Sequence, residues 1–192
     1  MAATKTVSID LGFKAPDFNL LDTISGEHKN LAAVKGEKGT VVMFTCNHCP
    51  FVLHVNEQLV QLAKDYMSQG IGFVAISSND VEGYPQDGPE LMTQLAKKAG
   101  YPFPYLYDET QDVAKAYKAV CTPDFSIFDA DLNCVYRGQL DNSRPGNGKS
   151  VTGEDMRTAL DAVLAGEKVG ENQFPSIGCN IKWKNRIFPD YA

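Results

Sequence analysis

Two cysteines three positions apart, Cys46 and Cys49 in the run Cys46-Asn47-His48-Cys49-Pro50, are the residues of this chain best suited to do chemistry. A thiolate is a nucleophile, and a thiol pair at this spacing can close into a disulfide, so the indicated chemistry is thiol–disulfide exchange. Placement adds to the spacing. Residues 40–45, TVVMFT, form a short β-branched apolar run that reads as a buried strand. From Phe51 the apolar residues Phe51, Val55, Leu59, Leu62, Ala63 and Tyr66 fall three to four apart, as on one face of a helix that ends near Gly70. A sulfur at that strand-to-helix junction faces the helix N-terminus, with about half a positive charge and unpaired N–H donors, which is expected to bring a thiol from about 8.5 into the range of roughly 3.5 to 7.5. In helices that start this way the first cysteine is the exposed one, which assigns Cys46 as attacking nucleophile and Cys49 as resolving thiol. A protonated His48 between them favours the thiolate. The same residues also read as half of a copper or zinc site completed by His48 or His54, or as inert buried thiols, although no second CxxC and no HxxxH accompanies them.

The elements that must position this run follow from the periodicities on either side. Residues 71–76, IGFVAI, are the next strand, so strand, helix and strand make a βαβ unit with its two strands parallel. Residues 90–99 are helical with Leu91, Met92, Leu95 and Ala96 on one face; 104–107 are a short strand and 111–119 are helical again. Residues 125–128 and 134–140 flank a turn at Asp129-Ala130-Asp131 and read as an antiparallel hairpin. A closing helix spans 154–165 with Met156, Ala159, Leu160, Val163 and Leu164 inward, while 31–37 and 169–192 lack periodicity and are expected to wrap the surface.

The chain has 192 residues, 43% of them hydrophobic, a size suited to one core. Its net charge of -6 gives no drive toward nucleic acid or an anionic membrane, so neither is expected as a partner. The start MAATKTVSID lacks the apolar stretch of a secretory signal, and the expected location is cytoplasmic. Five cysteines are too few for a disulfide framework at this length and have to be read one by one.

CNHCP, the Thr122-Pro123 step opening FSIFD, and the start GFKAPDFNLLD resemble the thioredoxin-like superfamily, specifically the AhpC/TSA-type redoxin branch shared by peroxiredoxins and thiol-disulfide oxidoreductases. The likeness is closest to peroxiredoxin-like proteins that carry CNHCP, CTPDF, DNSRPG and a late GCNIKW segment. It implies a thioredoxin-like α/β fold, a central mixed β-sheet with helices on both faces, in a single domain over 1–192 with its core at about 10–165 and a tail at 169–192. It also implies that the Thr122–Pro123 bond is cis and faces the CxxC; read alone, the dipeptide is an ordinary turn before an edge strand. A cis X–Pro bond leaves backbone groups free to pair with an extended substrate segment, so Pro123 is expected to shape a docking groove. Two family patterns are not met. The peroxiredoxin PxxxTxxC signature fails at both cysteines, since Met43 and Gly39 precede Cys46 and Cys46 and Val42 precede Cys49 at the required positions. Thioredoxin's tryptophan and buried aspartate are Thr45 and Thr40 here, which removes a proton relay to the second cysteine.

The expected function is thiol-disulfide exchange on protein or small-molecule disulfides, with no bound cofactor or metal and with electrons drawn from another dithiol. The alternatives are a thiol peroxidase or a Cu/Zn-binding thioredoxin-like module. Cys121, just before the proline loop, is either an alternative resolving cysteine near Cys46 or a small buried filler. Cys179 resolves a species formed on Cys46 if the tail folds back over the CxxC; otherwise it packs beside Ile177, Ile181 and Trp183. Cys134 reads as core, Arg144 in DNSRPGNG as a solvated loop arginine or a clamp for a substrate carboxylate, and Trp183 as a tail anchor.

Overall fold

Side chains alternate along the two central strands, and each face of the sheet they build is covered. The computed structural model describes residues 3–192. In chain order its elements are β1 (Ala3–Lys5), β2 (Asn19–Asp22), β3 (His28–Asn30), α1 (Leu31–Val34), β4 (Gly39–Phe44), α2 (Pro50–Met67), β5 (Ile71–Ser77), α3 (Pro89–Ala99), β6 (Tyr105–Tyr107), α4 (Asp112–Ala116), β7 (Cys121–Thr122), β8 (Asp124–Asp129), β9 (Cys134–Gly138), α5 (Glu154–Ala165) and β10 (Ile177–Asn180). The main sheet runs β3-β2-β6-β5-β4-β8-β9, parallel at β6-β5-β4 and antiparallel elsewhere. Val41, Met43, Phe73 and Ala75 point into a core shared with α2, α3 and α5. Val42, Phe44, Val74 and Ile76 point into a second core, shared with α1 and α4. Burial on both faces explains why these strands read as continuous apolar runs.

Helix α2 begins at Pro50, whose ring pre-sets the helical φ where a missing N–H costs nothing. It buries Val52, Val55, Leu59, Leu62, Ala63 and Tyr66, close to the expected stripe. Helix α5 matches its expected bounds, and the hairpin appears as β8 and β9.

Four expectations change. Residues 31–37 contain the short helix α1, which sinks Leu31 and Val34 into the second core after Asn30 caps it through the Ala33 N–H. Leu91 is exposed, so α3 faces inward through Met92 and Ala96. Helix α4 is shorter than 111–119, because Lys118 takes a positive φ and ends it. The tail does more than wrap the surface. Its strand β10 lies between β1 and β7 in a three-stranded antiparallel sheet, and Ile181 and Trp183 join the second core.

Candidate active site

Where β4 ends the chain leaves the sheet, with the Thr45 N–H still bonded to the Ile76 carbonyl at 2.9 Å. Cys46 follows at once, and Cys49 is the N-cap of α2. The Thr122–Pro123 bond is cis, as expected. It presents Thr122 to both cysteines: Thr122 Oγ1 lies 3.3 Å from Cys46 Sγ, and the Thr122 carbonyl oxygen 3.2 Å from Cys49 Sγ. Cys46 is not the exposed member of the pair. It is 1% exposed and Cys49 0%, because β10 of the tail covers them together with Phe51 and Val52.

Electrostatics divides the two sulfurs in the opposite sense to the sequence expectation. A thiolate at Cys49 is favoured first by the Cys46 thiol, which keeps its proton, and beyond that by the Cys179 thiol and the backbone N–H groups of Val52 and Cys179. Against the cost of burial these draw the Cys49 pKa down to about 5. The hydrogen bond to Cys49, burial and the nearby Asp87 charge push Cys46 up, and only the Thr122 hydroxyl pulls it down. The helix N-terminus thus acts on Cys49 through the backbone N–H of Val52, the third residue of α2.

The side chain that sequence reasoning missed is Asp87. It is fully buried and accepts from the Asn47 N–H at 2.8 Å, from Asn79 Nδ2 at 2.8 Å and from His48 Nδ1 at 2.7 Å. Tyr84 stacks on the His48 ring at 5.6 Å and 8°. His48 therefore turns to Asp87 instead of bridging the sulfurs. With Nδ1 engaged, its Nε2 is buried and has no hydrogen-bond partner among the described residues. Donor atoms of Cys46, His48 and Asp87 lie within 4.8 Å of one another. Asp87 stands 41 residues beyond Cys46 in a one-turn Pro85–Asp87 helix, and its only sequence signal is turn chemistry.

Residues 11–137 match the AhpC/TSA family. The chain belongs to that family. An uncharacterized conserved protein from Geobacillus kaustophilus is 60% identical, with a TM-score of 0.95 over 97% of this chain and 99% of that one. A hypothetical protein from Sinorhizobium meliloti 1021 is 50% identical, with a TM-score of 0.92 over 94% and 98%. At 19% identity the thioredoxin domain of a thiol-disulfide oxidoreductase from Bacteroides vulgatus shares the fold, with a TM-score of 0.57 over 68% of this chain and 89% of that one. No curated protein matches the chain. The fold is thioredoxin-like, and among the described residues no helix is long and apolar enough to cross a membrane.

The other cysteines of this AhpC/TSA protein separate clearly. Cys121 is buried but turns toward Thr6 Oγ1 at 3.6 Å, and burial pushes its thiol up. Cys134 is buried in the second core, as expected. Cys179 does reach the site, but its Sγ lies 2.7 Å from Cys49 Sγ, not beside Cys46. Trp183 is a buried anchor. Arg144 is no solvated loop arginine: it is half-buried and donates to the carbonyls of Asp141 and Ser143 and to Gln139 Oε1. With His54, Ser143 and Pro123 it lines a cavity of about 20 Å³. His54 is therefore apart from the Cys46, His48 and Asp87 cluster that would have to hold a metal.

Proposed function

We propose that this redoxin is a thiol-disulfide oxidoreductase whose working group is the Cys46–Cys49 pair. The observation that carries the reading is the placement of both thiols against the cis Thr122–Pro123 peptide, with Thr122 Oγ1 3.3 Å from Cys46 Sγ and the Thr122 carbonyl oxygen 3.2 Å from Cys49 Sγ. Cys46 attacks a protein or small-molecule disulfide, a mixed disulfide forms, and Cys49 attacks Cys46 to release the second product thiol. One amendment to the order read from the sequence is needed. In the resting dithiol the proton sits on Cys46, so attack begins when that proton crosses to Cys49 or to the free nitrogen of His48. Asp87 orients the imidazole for this role, and Pro123 borders the docking edge. Two electrons pass to the substrate, and an external dithiol returns them without a bound cofactor. A reducing compartment such as the cytoplasm would supply that external dithiol.

The test is reduction of oxidised glutathione driven by dithiothreitol, with Cys46→Ser and Cys49→Ser beside the wild type. The expected result is turnover in the wild type, none in Cys46→Ser, and a trapped glutathione adduct on Cys46 in Cys49→Ser. Equal rates in all three proteins overturn the reading. Consumption of hydrogen peroxide that depends on Cys46, with no effect on the disulfide, moves the activity to a thiol peroxidase.

A further inference from the structure

The sheet edge beside Pro123, where an extended substrate is expected to pair, is already occupied by the chain itself. Strand β10 runs antiparallel to β7, with Cys179 opposite Thr122 and Asn180 opposite Cys121, and β1 closes its other side. The approach is close enough to demand glycine. A Cβ added at Gly178 would lie 2.0 Å from the Thr122 carbonyl oxygen and 3.0 Å from the Pro123 nitrogen, both backbone atoms that cannot move aside. A strand held so tightly delivers Cys179 Sγ to within 2.7 Å of Cys49 Sγ. Cys49 and Cys46 both lie against Thr122, at 3.2 and 3.3 Å, so Cys49 meets the Cys46 site through that residue and Cys179 directly. The lining of this pocket, Val52 and Phe51, is apolar.

We propose that the C-terminal strand is a built-in occupant of the substrate-docking edge and that Cys179 is a third redox thiol, which takes Cys49 over from the Cys46–Cys49 disulfide. The inference rests on the redox reading of that pair. In the step, the Cys179 sulfur attacks Cys49 Sγ, the Cys49–Cys179 bond forms and the Cys46–Cys49 bond breaks. The bonding pair leaves on Cys46, which takes up the proton that Cys179 gives up. No electrons enter or leave the chain, so the step exchanges one disulfide for another. It empties the attacking cysteine and moves the oxidised bond onto the tail strand. An external dithiol attacking Cys179 then restores the reduced enzyme.

The experiment oxidises the full chain with oxidised glutathione, quenches in acid, blocks free thiols with N-ethylmaleimide and maps unreduced peptides by mass spectrometry. Expected are Cys49–Cys179 and Cys46–Cys49 linked peptides in the wild type, Cys49–Cys179 alone in Cys46→Ser, and Cys46–Cys49 alone in Cys179→Ser. In Gly178→Ala the Cys49–Cys179 link is lost while Cys46–Cys49 remains; should that variant fail to fold by circular dichroism, Cys46→Ser carries the test. Cys46–Cys49 linkage in the wild type, with Cys179 fully alkylated there and also in Cys46→Ser, overturns the inference and leaves the redox pair standing. Cys49–Cys179 linkage with no Cys46–Cys49 bond in the wild type or in Cys179→Ser overturns the redox pair, and with it the exchange route.

Discussion

Around the buried Cys49 sulfur, the Cys46 and Cys179 thiols and the backbone N–H groups of Val52 and Cys179 converge to lower its pKa, while the thiol form donates to the Thr122 carbonyl at 3.2 Å. This convergence gives the reduced protein a characteristic pH response. The folded pKa of about 5 lies below the ordinary thiol value of 9.0, so the stability supplied by the thiolate is complete above about pH 9 and is lost as pH falls through 5. Cys46 and Cys179 have raised pKa values and act oppositely, removing stability above about pH 9. Reduced wild type is therefore expected to gain stability over Cys49→Ser between pH 5 and 9, by on the order of 1 kcal/mol per pH unit. Urea midpoints measured at each pH read this directly, and a pH-independent difference contradicts it. A second expectation concerns Thr122, whose hydroxyl is the one group pulling the Cys46 pKa down. Thr122→Val keeps the shape and the carbonyl but removes that bond. A hydrogen bond to a charged group contributes about 1.5–3 kcal/mol, so the reaction of Cys46 with oxidised glutathione should slow by about tenfold or more. An unchanged rate would show that Thr122 only packs against the sulfur.

Among the elements, the β8–β9 hairpin fixes the peptide that faces the cysteines. Asp124 directly follows Pro123, and its carboxylate accepts from Arg137 Nη2 of β9 at 3.0 Å, with both side chains buried. Arg137 also donates to Ser126 Oγ and to the Lys118 carbonyl. Replacing Arg137 by Met leaves Asp124 buried without its counter-charge, which is expected to cost about 3–5 kcal/mol in urea unfolding. The double variant Arg137→Met with Asp124→Leu should recover most of that loss; failure to recover would assign the cost to packing. This ion pair is silent in the sequence, because the hairpin pattern of 125–128 and 134–140 leaves Asp124 outside its strands and does not pair it with Arg137. The helices and central strands were legible for the opposite reason. In α2, β4, β5 and α5 the apolar period is long enough to outweigh local noise, and their bounds fall within three residues of expectation. Elements of three to five residues, such as α1, α4 and β10, owe their form to tertiary contacts that periodicity cannot report.

For the molecule as a whole, the reactive pair was legible from spacing and from its place between strand and helix, whereas its environment was not. Asp87 lies 41 positions beyond Cys46, and Cys179 lies 130 positions beyond Cys49. Only the assembled fold, with β10 laid along β7, brings the tail sulfur onto the helix N-cap. The same assembly explains why Cys46 is buried, since the tail occupies the edge that was expected to stay open. The central claim is that Cys46 and Cys49 cycle reversibly between dithiol and disulfide, and the most direct measurement is a redox titration. The protein is equilibrated over a series of reduced-to-oxidised glutathione ratios, quenched in acid and alkylated, and the state of each cysteine is read by mass spectrometry. The account predicts that Cys49 loses alkylation reversibly across the series, linked to Cys46 and to Cys179, that the Cys46–Cys49 link vanishes in either serine variant, and that Cys121 and Cys134 are alkylated throughout after unfolding. Two free thiols at Cys46 and Cys49 across the whole series would contradict it.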